Sequence, residues 1–189
     1  LALDEASRQI IRSVYDTLLE FHYLKRPYTL QSGLLETLPE ALQDGRSYRL
    51  TLKSKVRFHD DPCFPKGVGR FMKSDDVIYT FKRFASSDSN SMSYDAFEGL
   101  IEGMNEFRKR SRQKDFSFDR DSISGLTAID PTHIRVTFSQ KNAANLKFLA
   151  FTGTSIVARE AVEYYGKDFD KHPVGTGPFQ LQNYQRRST

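Results

Sequence analysis

Four polar side chains, His59, Asp60, Asp61 and Cys63, fall within one short stretch, and imidazole, carboxylate and thiolate are the groups that hold zinc. A zinc site usually needs four ligands with a second cluster, and no CxxC or HxxxH spacing occurs elsewhere in the chain. The segment therefore reads as a strand end running into a polar turn, with no metal expected. For a Cys63 nucleophile with His59, nothing nearby marks a base, an orienting carboxylate and an oxyanion hole together. Gly175-Thr176-Gly177 raises a different chemistry, a backbone cradle for phosphate. Such cradles come as GxxxxGK[ST] or GxGxxG at a helix start, and neither pattern is present. Pro178 also removes an N–H where a cradle needs one. The expectation is a structural turn formed by Gly175, Thr176, Gly177 and Pro178, with at least one glycine at positive φ and a strand from Phe179 to Tyr184.

The run FRKRSRQK, residues 107–114, holds five bases in eight positions, a density that can meet nucleic acid or anionic lipid. Glu102 and Glu106 precede it and Asp115, Asp119 and Asp121 follow. Glu106 is spaced to pair with Arg110 on one helix face, so the run reads as a solvated, salt-bridged helix end and no nucleic-acid partner is expected. The aromatic residues Phe21, Tyr23, Tyr28, Tyr94 and Tyr164 suit a core, a rim or a groove wall equally well.

The elements that must position these groups are legible in the spacing of apolar residues. Ile11, Val14 and Leu18 recur at helical intervals, with Ser7 as cap, and predict a helix over about residues 7–21. Residues 24–42, with two prolines and a glycine, read as loop with short extended pieces. Asp44-Gly45 marks a turn, and Tyr48, Leu50 and Leu52 alternate with polar neighbours as in a half-buried strand. Val56 and Phe58 resume the pattern. Ser74, as N-cap, followed by Asp75 and Asp76 at the positive helix end, starts a helix whose Val77, Phe81 and Phe84 share a face. Residues 94–114 read as helix. After a turn at AIDPT, Ile134, Val136 and Phe138 define a second strand. NAANLKFLAF and REAVEYY read as helices, the latter stopped by Gly166.

The hydrophobic fraction is 38%, enough for a sizeable core without staples, and a single cysteine excludes an intrachain disulfide. The net charge of +4 is too small to imply nucleic acid by itself. The chain opens without initiator methionine, basic leader or apolar signal core, as expected of a processed chain or a piece of a longer one. On the residues alone this is a mixed α/β piece without an active site.

Taken in order, five segments resemble one family. IIRSVYDTLLEF, DGRSYRLTLKSKVRFHD, KSDDVIYTFKRF, LTAIDPTHIRVTFSQ and IVAREAVEYYGKDFDKHPVGTGPFQLQNY are similar to stretches of extracellular solute-binding protein family 5, which includes the oligopeptide- and dipeptide-binding components of bacterial ABC importers. The resemblance implies the class II periplasmic-binding-protein fold, with residues 1–40 and 169–189 in the first lobe, 41–168 as its accessory subdomain, and no counterpart of the second lobe. It implies a binding protein and not an enzyme, without cofactor, located in the periplasm or on the outer face of the envelope. Its partners are then a peptide ligand and a membrane permease. Nickel complexes, haem and oligosaccharides are alternative ligands within the family, and a metallohydrolase or a basic nucleic-acid-binding module are the alternatives outside it. The resemblance makes the Gly175–Pro178 turn the return from subdomain to lobe. It also places Tyr94 on a loop that can touch a bound peptide, against the alternative of a rim aromatic anchoring the next helix. Two segments depart from the pattern, DPCFPKGVGR and GMNEFRKRSRQKDFSFDRDS.

Overall fold

The computed structural model describes residues 5–89 and 93–182. Helix α1, Glu5–Val14, is shorter than its apolar spacing predicts, and Ser7 lies within it, not before it. Its last turn closes with Tyr15 N–H donating to Ile11 O at 2.8 Å. Beyond that point the chain turns into strand β1, Leu19–Phe21, which pairs antiparallel with β2, Leu30–Ser32. Leu18 and Leu19 are fully buried by this route, so tertiary burial overrides the helical periodicity that continues through them.

Strand β3, Glu40–Ala41, and β4, Ser47–Thr51, flank the expected Asp44-Gly45 turn. The Asp44 carboxylate accepts from the Arg46 and Ser47 N–H groups and from the Ser47 hydroxyl, which holds its pKa below the usual carboxylate range. Gly45 supplies φ = 68°. Helix α2 is Ser74–Ala85, as its sequence predicts. Residues 94–114 form two pieces instead of one helix, a 3-10 turn at Tyr94–Phe97 and helix α3, Met104–Arg110. Gly99 and Gly103 between them adopt φ of 64° and 79°, a left-handed conformation that ends helical propagation. Strand β5, Leu126–Asp130, and β6, His133–Thr137, form a hairpin. Sequence reading missed β5 because four of its five residues are exposed and show no alternation. NAANLKFLAF forms a 3-10 segment, Ala143–Ala150, capped by the Asn142 side chain accepting from Ala144 N–H at 2.9 Å. Helix α4, Arg159–Tyr165, ends at Gly166 as predicted. Residues 179–182 are not paired as a strand, and Tyr184 lies outside the described residues.

Four strands make an antiparallel sheet in the order β3-β4-β6-β5. Tyr48 and Leu50 of β4 face Val136 and Ile134 of β6 across the ladder, and all four are buried. Helix α2 covers this sheet with Val77, Phe81 and Phe84. Phe84, Phe97, Phe148 and Phe151 then contact one another edge-on or tilted, with ring centroids 4.8–6.3 Å apart.

The start of α2 corrects the expected cap. Lys73 is the N-cap, and Ser74, one position inside, donates its hydroxyl to Asp130 O at 2.7 Å. The cap is made by Asp76, whose buried carboxylate accepts the Lys73 N–H at 2.8 Å. The same carboxylate receives two guanidinium N–H bonds from Arg70, at 2.8 and 2.7 Å. Arg70 also reaches both oxygens of Glu160 on α4, at 2.6 and 2.8 Å. One arginine thus ties α2 to α4 through charge-assisted forks.

Two outcomes follow from these contacts. Asp76→Ala loses the cap and half the arginine fork, and is expected to lower unfolding free energy by about 3 kcal/mol, against about 1 kcal/mol for Ser74→Ala, by denaturant titration. Asp130, at the β5–β6 turn, accepts from the Thr132 and His133 N–H groups and from the His133 ring, which lower its pKa to about 2. A depressed folded pKa gives stability that is present above the unfolded value and lost as pH falls through about 2. Asp130→Asn should therefore melt below the parent at pH 7, and the gap between the two melting curves should close toward pH 2.

Candidate functional site

The two segments first weighed for chemistry meet each other. His59 N–H donates to Gly175 O at 2.9 Å, and the His59 ring bonds through Nε2 to Gly177 O at 2.7 Å. Gly175 N–H approaches His59 Nδ1 at 3.4 Å. The two ring contacts suit the tautomer that carries its proton on Nε2 and accepts at Nδ1. On its other side the turn rests on the end of α1. Gly177 N–H donates to Val14 O at 2.9 Å, and Phe179 N–H to Ser13 O at 3.1 Å. The Thr176 hydroxyl donates to Asp16 Oδ2 at 2.8 Å, and Val174 N–H to the Tyr15 hydroxyl at 3.1 Å.

The glycines are required for a reason other than the expected one. Neither Gly175 nor Gly177 has positive φ. A Cβ on Gly175 would lie 2.0 Å from Val14 O, and one on Gly177 2.6 Å from Ser13 O. These positions need glycine because two backbones touch.

This latch fixes the wall of an open groove of about 780 Å³. Arg12, Tyr15 and Asp16 line one side, the β1–β2 hairpin from Glu20 to Tyr28 forms another, and Thr152 and Ser155 close the end. Burial pushes the Tyr15 phenol pKa up, so it stays protonated beside the groove. Arg12, Asp16 and Glu20 recur at intervals of four, a polar stripe readable in the sequence but masked by the apolar stripe of the same segment. Asp16 and Glu20 also line a smaller hollow of about 450 Å³, together with Lys53, Lys55 and Arg57.

The remaining sequence candidates are committed elsewhere. Asp60 accepts from Gly69 N–H and Arg57, and Asp61 accepts from Cys63 N–H and the Tyr165 hydroxyl. Burial and the neighbouring Asp61 push the Cys63 pKa up to about 12, which keeps it a thiol and not a nucleophilic thiolate. Among the described residues no group of three His, Cys, Asp or Glu side chains could hold a metal ion. In the basic run, Arg110 pairs with Asp115 and Asp121, and not with Glu106. Arg108 lies 4.0 Å over the Tyr94 ring and donates to the Ala85 and Ser86 carbonyls.

Tyr94 itself is 1% exposed, with its hydroxyl donating to Asn105 Oδ1 at 2.8 Å. Burial raises its pKa to about 12. Ring and hydroxyl are both used inside the fold, so Tyr94 offers no surface to a ligand in this conformation. The hydroxyl ties the Tyr94–Phe97 turn to Asn105 of α3.

Residues 29–189 match the family described as bacterial extracellular solute-binding proteins, family 5 Middle. The chain is 25% identical to the glutathione-binding protein GsiB of Salmonella paratyphi A over 185 residues, which cover 98% of this chain and 29% of that protein. It is 28% identical over 191 residues to the dipeptide-binding protein of Escherichia coli K12, covering 93% of this chain and 30% of the relative. The peptide-bound OppA structure from Listeria monocytogenes superposes with a TM-score of 0.76 at 16% identity, covering 97% of this chain and 33% of that one. The fold is accordingly the mixed α/β fold of class II periplasmic binding proteins, represented here by a fragment. The chain belongs to family 5 of the bacterial extracellular solute-binding proteins. It spans less than a third of the length of the two curated relatives.

Gly175→Ala and Gly177→Ala are expected to cost about 1–3 kcal/mol or more, the usual range for overpacking, because the obstructing atoms are backbone. Gly67→Ala, where φ is 71° and nothing lies within 4 Å of the new Cβ, should cost about 1 kcal/mol. Chemical denaturation of the three variants measures the order.

Proposed function

We propose that this chain supplies part of one wall of a solute cleft in the substrate-binding component of a bacterial ABC importer, with peptide as the solute. The observation that carries the reading is the groove beside α1, in a chain of this family. It offers Arg12 and Arg26 together with Asp16 and Glu20, so one surface presents both charge signs to a zwitterion. Its volume falls in the range of roughly 300–1,000 Å³ usual for small-ligand sites. Tyr15, Thr152 and Ser155 add polar groups that can orient an amide backbone. Relatives are named for glutathione and for dipeptides, which supports a short peptide over nickel complexes, haem or an oligosaccharide. The committed partners of His59, Asp61 and Arg110 favour neither a metallohydrolase nor a nucleic-acid module.

In this reading residues 1–40 and 169–189 belong to the first lobe and 41–168 to an accessory subdomain. The Gly175–Pro178 turn is the return between them. The protein acts in the periplasm or at the outer face of the envelope, hands its solute to a membrane permease, and catalyses no reaction. No helix among the described residues is long and apolar enough to cross a membrane.

One wall leaves much of a bound peptide in water, and association must offset several kcal/mol of lost freedom. Calorimetry of the 189-residue chain against mixed di- to pentapeptides should show no submicromolar binding. A longer form carrying the second lobe should bind, and Arg12→Ala in that form should weaken binding about tenfold, as expected for loss of a charge-assisted hydrogen bond. Submicromolar binding by the short chain would locate the whole site within these residues and overturn the two-wall reading.

A further inference from the structure

The smaller hollow, lined by Asp16 and Glu20 with Lys53, Lys55 and Arg57, holds charges of both signs that do not cancel one another. Among the described residues no ion pair joins either carboxylate to these bases. Neutral groups hold three of them instead. Thr176 donates its hydroxyl to Asp16 Oδ2 at 2.8 Å, the Gln31 amide donates to Glu20 Oε2 at 3.3 Å, and Lys53 donates to Gly33 O at 2.6 Å. Arg57 is already spent on Asp60 and on the Gly69 carbonyl. Asp16 Oδ1, Glu20 Oε1 and the Lys55 ammonium have no hydrogen-bond partner among the described residues. Lys53 keeps two of its three N–H donors. The backbone fixes the two charged segments relative to each other. Gly33 and Leu34 N–H donate to Leu18 O and Thr17 O at 3.1 and 3.0 Å, and Lys53 N–H donates to Leu34 O at 2.9 Å. Residues 33 and 34 thus link the carboxylate segment to the lysine segment.

The lining of the two cavities sets an order along a ligand. Asp16 and Glu20 belong to both the groove and the hollow, whereas Lys53 and Lys55 belong to the hollow alone. An ammonium is favoured where the cavities share their carboxylates, and an anion beside the lysines. On the reading of the groove as a peptide cleft, we propose that the hollow is a subsite for an acidic side chain. The amino terminus of the peptide lies against Asp16 and Glu20, and a carboxylate on its first residue reaches Lys53 and Lys55. A phosphate in the same space would meet two carboxylates of like charge. An apolar side chain would leave the lysines without a counter-charge once a second wall excludes water. Preference for an acidic first residue therefore has an attractive and a repulsive component.

Asp-Ala-Ala and Asn-Ala-Ala differ in one charge and almost nothing in shape. In calorimetry, the longer form carrying the second lobe should bind Asp-Ala-Ala about tenfold more tightly, as expected for one charge-assisted hydrogen bond. Lys55→Gln should narrow that ratio, and Lys53→Gln with Lys55→Gln should abolish it while leaving the affinity for Asn-Ala-Ala unchanged. Lys55 has no side-chain contact to lose among the described residues, so the single variant reads the subsite and not the fold. Lys109→Gln with Lys114→Gln removes the same charge outside the hollow and should leave the ratio as it is. Equal affinity of the parent for the two peptides, a ratio that survives loss of both hollow lysines, or an equal loss in the distant variant would each overturn the subsite and leave the peptide reading standing. Binding of other di- to pentapeptides but of neither of these would do the same. Failure to bind any of them would overturn that reading, and the subsite with it.

Discussion

A helix that stops inside a protein leaves its last carbonyls without intrahelical donors, and something must supply them. At the end of α1 the supply comes from the far end of the chain, where Gly177 and Phe179 donate to Val14 and Ser13. The bonds form only because the incoming backbone lies against the helix end at a distance no side chain at Gly175 or Gly177 would permit. The groove wall, the seat of Thr176 on Asp16 and the docking of His59 follow from that approach. Two polar turns whose residues suggested chemistry thus serve as the seat of a backbone-to-backbone contact.

The other half of the molecule is organised by a half-buried charge. Arg70 is held by Asp76 and Glu160, and it lies over the Phe58 ring at 5.3 Å. A guanidinium with both edges paired tolerates partial burial where an unpaired one would not. Arg70 therefore fixes α2 and α4 relative to the loop before them, while the phenylalanine cluster behind α2 supplies apolar burial. Polar geometry sets the orientation and apolar area supplies the driving force.

What the sequence made legible was local. The Asp44-Gly45 turn, the alternation of Tyr48, Leu50 and Leu52, the helix at Ser74 and the stop at Gly166 each rest on residues within a few positions of one another. What it hid was set at a distance. The end of α1 is decided by Gly177, and the exposed strand β5 by pairing with β6. The groove was hidden for the same reason. Arg12, Asp16 and Arg26 are ordinary surface residues in the sequence, and they share a wall only once α1, the hairpin and residues 152–155 come together. Tyr94 shows the converse, since a tyrosine in a polar stretch gave no sign that Asn105 and Arg108 would enclose it.

The contact between the end of α1 and residues 174–179 joins positions more than 150 apart. Loop closure over such a span is slow compared with local helix and hairpin formation. On the ribosome the order is stricter, because synthesis runs from the amino end at about 5–20 residues per second. The sheet and α2 are complete in sequence by residue 137 and can pack while the return is still unmade. Helix α1 has no such option, since its carbonyl end waits for residues 177 and 179 to leave the exit tunnel. Of the described elements, the one earliest in the sequence is therefore among the last to be locked. Throughout that interval Val14, which packs against Tyr15 and Val157 in the folded chain, has no fixed seat.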